Sequence, residues 1–147
     1  MPITADHILT AVFKRLNADA TLQGASYLTG SGRIEKGPRR RKGLTAPCVT
    51  LKLAGLGIDT ESKVEDALVY INCYAADKPN GTADVARLAL VGSQIETLLD
   101  DYPLAPGTGY RFFNCYVTSP HGEAFMDPDF PDEHYMTSTV RIQCQAV

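Results

Sequence analysis

Apolar residues first recur at helical spacing. Ile8, Leu9, Val12, Phe13 and Leu16 fall three or four apart and make one stripe, which predicts an amphipathic helix. Thr4 is placed to cap it, and Asp6 adds a negative charge to its first turn, where the helix dipole favours one. Gly24 ends any continuation, and a weak strand is expected over 31–35. After Pro47 the period falls to two. Val49, Leu51 and Leu53 share one face of a strand, until Gly55 and Gly57 are expected to break it.

The strongest strand signal runs over 67–75. Ala67, Val69, Ile71, Cys73 and Ala75 alternate with Leu68, Tyr70, Asn72 and Tyr74. Neither face is charged, which suits the middle of a sheet or a surface under a partner. A turn at 77–81 leads to a second helix, capped at Thr82, whose buried face is Val85, Ala86, Leu88, Ala89, Ile95, Leu98 and Leu99. Gly92 reads as a local weakness in it, costing about 1 kcal/mol against Ala. Pro103, Pro106, Gly107 and Gly109 stop the helix.

A further strand covers 110–117, with Phe113, Cys115 and Val117 on one face and Tyr110, Phe112, Asn114 and Tyr116 on the other. A long acidic loop is expected over 118–133. In the closing strand, Met136, Val140, Ile142, Cys144 and Ala146 alternate with polar residues. The order helix, strands, helix, strands predicts an α+β fold. A mixed, mainly antiparallel sheet of four to five strands would carry two main helices on one face. The 147 residues are expected to form a single domain.

Charge and composition narrow the function. A net charge of −3 argues against a dedicated DNA-binding domain, which needs a basic excess. No apolar run reaches the roughly 20 residues of a membrane span, and the first residues lack a secretory pattern, so folding in a cytoplasm is expected. Cys48, Cys73, Cys115 and Cys144 lie far apart, without zinc-ligand spacing. Disulfides are formally open to an even count, but in a reducing compartment these are expected to be buried apolar residues.

No catalytic motif emerges. Gly30-Ser31-Gly32 and Gly107-Thr108-Gly109 do not continue into a phosphate-binding pattern. His7 has no sequence-local partner and reads as a boundary residue. His121, Glu123, Asp127, Asp129 and His134 could converge on a divalent ion, which keeps a metal-dependent enzyme using His121 and His134 as an alternative; the other reading is a solvated loop. The sharper signals concern assembly. A basic loop is expected over 36–46, and Arg33, Lys36, Arg39, Arg40, Arg41 and Lys42 crowd into 33–42. This loop is a solvated surface, a contact with nucleic-acid phosphates, or a surface for an acidic patch on another subunit. Asp127, Asp129, Asp132 and Glu133 would supply that patch. Tyr70, Tyr74, Tyr110 and Tyr116 either cover the sheet's outer side or form an interface, for which tyrosine is suited.

The layout resembles the tail terminator proteins of long-tailed bacteriophages, a family that caps the tail tube as a hexameric ring. The likeness runs through the first helix, ending Phe13-Lys14-Arg15-Leu16-Asn17-Ala18-Asp19, and the strand entered by Ala46-Pro47-Cys48-Val49. It continues in Leu68-Val69-Tyr70-Ile71, in the helix from Ala86-Arg87-Leu88-Ala89-Leu90-Val91 to Leu98-Leu99, and in Thr139-Val140-Arg141-Ile142. The resemblance implies a non-enzymatic virion subunit, made in the host cytoplasm, with no cofactor. Its partners would be copies of itself, the tail tube protein and a head-completion or neck protein. The related head-tail connector and neck proteins share much of the layout and leave open a passing contact between the basic loop and DNA.

Overall fold

A computed structural model describes residues 3–58 and 64–147, the side chain of Ile58 excepted. Helix α1 spans Ala5–Asn17, followed by β1 (Ile34–Lys36), β2 (Cys48–Ile58) and β3 (Glu65–Ala76). Helix α2 spans Val85–Leu99 and precedes β4 (Tyr110–Ser119), β5 (Phe125–Asp127) and β6 (Phe130–Ala146). The strands form one sheet in the order β1-β2-β3-β6-β4, with β5 also beside β6. Among the described residues only the β1–β2 pair is parallel. The expected α+β class and mixed, mainly antiparallel sheet are therefore found. Among the described residues it has six strands, because the weak β1 and the short β5 both join it.

β3 is central, as its uncharged faces predict. In register, Ile71 lies between Leu51 and Ser138, and Val69 between Leu53 and Val140. Directly paired residues point to the same side of a sheet. Ala67, Val69, Ile71 and Cys73 are thus buried with Val49 and Leu51 from β2 and with Val140, Ile142 and Cys144 from β6. Ile8, Val12 and Leu16 of α1 and Val91, Ile95, Leu98 and Leu99 of α2 close over them from one side. Burying a side chain of this size stabilises the fold by about 1.5–3 kcal/mol. Both helices therefore cover one face, and the other face has no helix among the described residues.

Several local expectations change. α1 is capped by Thr4, whose hydroxyl accepts from His7 N at 3.3 Å, while the Thr4 N–H donates to His7 Nδ1 at 3.1 Å. His7 fills the place that Glu or Gln takes in the usual capping box, so it has a sequence-local partner after all. α2 is capped by Asp84, which accepts from Arg87 N; Thr82 instead bonds the Asn80 side chain. β2 does not break at Gly55 and Gly57. β3 is long enough to pair with it as far as Ile58, past a bulge at Ala54.

The acidic stretch 118–133 is not a continuous loop. β4 runs to Ser119, and the hairpin of β5 and β6 takes up Phe125 onward. The reason is β6 itself, which extends beyond β4 and offers a free ladder edge that β5 fills. The basic loop begins one residue later than expected, because Lys36 belongs to β1.

Gly92 proves to be a seat and not a defect. A Cβ built there would lie 3.0 Å from the His121 ring. His121 is docked by Glu96, whose Oε2 accepts from His121 N at 2.8 Å and lies 2.8 Å from His121 Nδ1. The same oxygen accepts from the fully buried Ser138 hydroxyl at 2.7 Å. One carboxylate thus ties α2, β6 and the β4–β5 connection. Gly92→Ala is therefore expected to forgo the roughly 1 kcal/mol gain of an ordinary helical Gly→Ala change. Thermal melts check this, and amide exchange at His121 should accelerate.

All four cysteines are buried and free. Burial raises each thiol pKa: Cys48 and Cys115 to about 12, Cys144 to about 11, and Cys73 upward as well. A folded-state pKa above the unfolded one means that unfolded thiols lose protons first. Their contribution to stability is therefore full below the ordinary thiol range and falls as pH climbs toward 11–12. A thiol reagent at about pH 8 is expected to leave the folded protein unmodified and to titrate all four thiols after denaturation. Rapid reaction of the folded chain would contradict the packing.

Candidate assembly surfaces

The basic and acidic segments singled out in the sequence meet within one chain. The Arg40 guanidinium forms a two-pronged ion pair with Glu133, one bond of which measures 3.2 Å. Its carbon lies 3.7 Å from the Phe130 ring centroid and 4.3 Å from that of Tyr74. The side chain is only 4% exposed. Burial works against the charge, but the Glu133 hydrogen bond and carboxylate outweigh it and hold the guanidinium pKa above its ordinary value. Glu133 also accepts from Ala46 N. Arg40 therefore pins the 37–46 loop onto the β5–β6 hairpin.

Arg41 is likewise occupied within the chain, donating to Glu35 at 2.8 Å and to the Gly32 carbonyl. The expectation that this basic loop meets an acidic patch on a neighbour loses Arg40 and Glu133. Arg39, Lys42, Asp129 and Asp132 stay exposed. Asp127 is half-buried and accepts from the Tyr74 hydroxyl at 3.4 Å. Arg39, Tyr74, Asp127, Asp129 and Phe130 together line a shallow polar hollow.

The four tyrosines do not share one face. Tyr74 is buried under Arg40 and beside Tyr135, and burial raises its phenol pKa to about 12. Tyr110 lies on the helix side, stacked on His7 with ring centroids 4.6 Å apart and packed so closely on Gly107 that a Cβ there would overlap it. The cause is a bulge at Phe113. Phe112 pairs with Cys144 and Asn114 with Gln143, so Tyr110 and Phe112 face the helices while Asn114 and Tyr116 face away. No alternation rule applied to 110–117 could reveal that shift.

Tyr70 and Tyr116 remain on the helix-free face. Tyr116 accepts from Arg141, which also grips Asp66 through its Nε at 2.8 and 3.0 Å. The Arg141 hydrogen bond is the main reason that Asp66 is held below the usual carboxylate range. Thr137 donates to Asn72 and Asn114 to Gln143, each at 2.6 Å. This face is a polar, mostly uncharged surface, with Leu68 and Tyr70 standing 38% and 39% exposed. Sequence reasoning missed Phe125 and Met126, which are 53% and 58% exposed on β5. It placed them in a loop, where no face is defined.

His121 and His134 address different carboxylates, Glu96 and Asp77. Among the described residues no group of three or more His, Cys, Asp or Glu is gathered as a metal site. Ser138 is fully buried and bonded to Glu96, so it braces His121's partner and does not present a nucleophile. These surfaces expose apolar side chains, hydrogen-bonding amides and a few charges.

Arg40→Ala should lower stability by about 3 kcal/mol, because it leaves Glu133 unpaired in a partly buried site. Arg39→Glu, at an exposed position, should change it by less than about 0.5 kcal/mol. Urea unfolding of the two variants separates them, and equal effects would show that Arg40 does not hold the hairpin.

The fold is similar to that of a chain in a solved structure of the virion of a native gene transfer agent particle. The two superpose with a TM-score of 0.67 over 95% of each chain, at 17% sequence identity. No protein-family model and no curated protein sequence matches the chain. At that identity the likeness is one of fold.

Proposed function

We propose that the chain is a structural virion protein that assembles into a ring, caps a phage-like tail tube and joins it to the head. The observation that carries this reading is the fold shared with a virion chain over almost the whole of both proteins. The layout resemblance to tail terminators points the same way, and a hexamer is the ring order it implies. A helix-free sheet face with exposed Leu68 and Tyr70, and exposed Phe113, Phe125 and Met126, supply surface for subunit and tube contacts. The mechanism is multivalent complementarity. Each contact is modest, and ring closure raises the effective concentration of the last one. No bond is made or broken, so the protein is read as a non-enzyme.

The connector reading, with the basic loop on DNA, is weakened by the loop's own geometry. Arg40 is buried against Glu133, and Arg41, though exposed, is paired with Glu35, which leaves Arg39 and Lys42 as the loop's exposed charges with no ion pair among the described residues. With Arg40 buried and Arg41 already paired, the loop offers fewer phosphate contacts, and the dependence of any DNA affinity on salt should be correspondingly shallow.

Solution mass at micromolar concentration is expected to show a closed oligomer, alone or after addition of the tail tube protein. Negative-stain images should show rings at tube ends. A monomer in both conditions would overturn the reading.

A further inference from the structure

A hollow between α1 and the segment before β4 gathers positive charge that the chain does not neutralise. Lys14, Arg15 and Ala18 form one wall, and Tyr102, Pro106 and Tyr110 the other. Its volume is about 280 Å³, room for a side chain and its flanks but not for a large cofactor. Asp19, one turn on from Arg15, is taken by Leu22 N at 2.8 Å and by the Gln94 side chain at 3.0 Å. Among the described residues no carboxylate forms an ion pair with Lys14 or Arg15.

Arg15 is set in place before any ligand arrives. Its Nε donates to the Leu98 carbonyl at 3.0 Å, near the C-terminus of α2, and its guanidinium carbon lies 3.6 Å from the Tyr102 ring centroid. One nitrogen and one face of the fork are thereby used. The two terminal nitrogens have no hydrogen-bond partner among the described residues. Such a fork matches the two oxygens of a carboxylate, and its fixed geometry leaves little freedom to lose on binding. Lys14, exposed on the same wall, adds a second charge on a flexible stem.

The opposite wall is also anchored. Tyr102 N donates to the Cys115 carbonyl at 3.3 Å, and Leu104 is buried in the core. Tyr110 is stacked on His7, and its phenol lies against Gly107, where even a Cβ would overlap it. These walls choose between anions. Ala18, Pro106 and the two tyrosine rings suit methylene groups that lead to a single charge. Asp100 and Asp101, exposed immediately before Tyr102, would repel a polyanionic nucleic-acid backbone. A carboxylate side chain on a protein segment meets both conditions.

We propose that this hollow is a docking site for an acidic segment of a partner protein, whose Glu side chain enters between α1 and Pro106 and pairs with Arg15 and Lys14. The partner's chemistry follows from charge complementarity: two unpaired cations, one of them fixed, beside a narrow apolar slot. The inference goes beyond the assembly reading above and requires no ring. The hollow lies on the helix side of the sheet, so a segment bound there does not compete for the face that carries Leu68 and Tyr70.

The test is calorimetry of the full chain with a blocked peptide, acetyl-Ala-Ala-Glu-Ala-Ala-amide, with its Gln counterpart and with inorganic phosphate, each at millimolar concentration. The Glu peptide is expected to bind saturably, and the Gln peptide about tenfold more weakly, the loss of one charge-assisted contact. Lys14→Gln should weaken binding about threefold. Arg15→Lys, which keeps the charge but not the fork, should weaken it about tenfold. Lys42→Gln, at an exposed residue outside the hollow, should leave it unchanged. Lys14→Gln should melt like the wild type, so its weaker binding is not a loss of fold. No binding, equal affinity for the Glu and Gln peptides, or affinity untouched by both hollow variants overturns the site. Phosphate bound as tightly as the Glu peptide overturns a protein segment as its occupant. A monomeric chain that takes the peptide keeps this site and sinks the ring, and an assembling chain that ignores it does the reverse.

Discussion

The fold depends on the ladder between β3 and β6. β3 has one neighbour on each side for most of its length, and β6 holds β3 on one side and both β4 and β5 on the other. Removing β6 would leave β4 and β5 with no partner strand. The ladder also fixes the orientation of every side chain on it. A shift of one residue between β3 and β6 would turn Val140, Ile142 and Cys144 away from the helices and expose the core. The main core therefore lies on one side, while the other side carries polar pairs such as Thr137–Asn72 and Asn114–Gln143 and a small buried cluster of Leu44, Cys48 and Tyr74.

Against that one-sided core, the charged segments act as fasteners. Arg40 is held between two aromatic rings and a carboxylate, and Glu96 gathers His121 and Ser138. Both join pieces of chain far apart in sequence at places where apolar packing alone would leave a loop unattached. The two terminal nitrogens of Arg40 and the Glu96 carboxylate meet defined partners, which favours one arrangement of the loops over many. The molecule therefore presents its remaining exposed groups, among them Tyr70, Phe113 and Phe125, on a well-defined frame.

The periodic elements were legible in the sequence because their burial follows a local rule. The stripe of α1, the two faces of β3 and the alternation of β6 each follow from spacing alone. What escaped depends on residues distant in the chain. The bulge at Phe113 reverses Tyr110, and no feature of 110–117 by itself announces it. Gly92 looked like a weak point because its partner, His121, lies far along the chain. Arg40 and Glu133 were both recognised as charged candidates, yet their pairing with each other was hidden by 93 residues of separation. β2 was cut short at Gly55 because a glycine in isolation signals a break, whereas β3 supplies the ladder that carries the strand through.

The position of β6 in the chain has a consequence for synthesis. Its residues 130–146 are made after all the other elements, yet they occupy an interior place in the sheet. Until they emerge from the ribosome, β3 lacks one of its two flanks, and the Glu96 carboxylate lacks the Ser138 hydroxyl. Contacts of such long sequence separation form late and slowly. A chain lacking them would leave one flank of β3 unpaired and its apolar side chains open to holding chaperones.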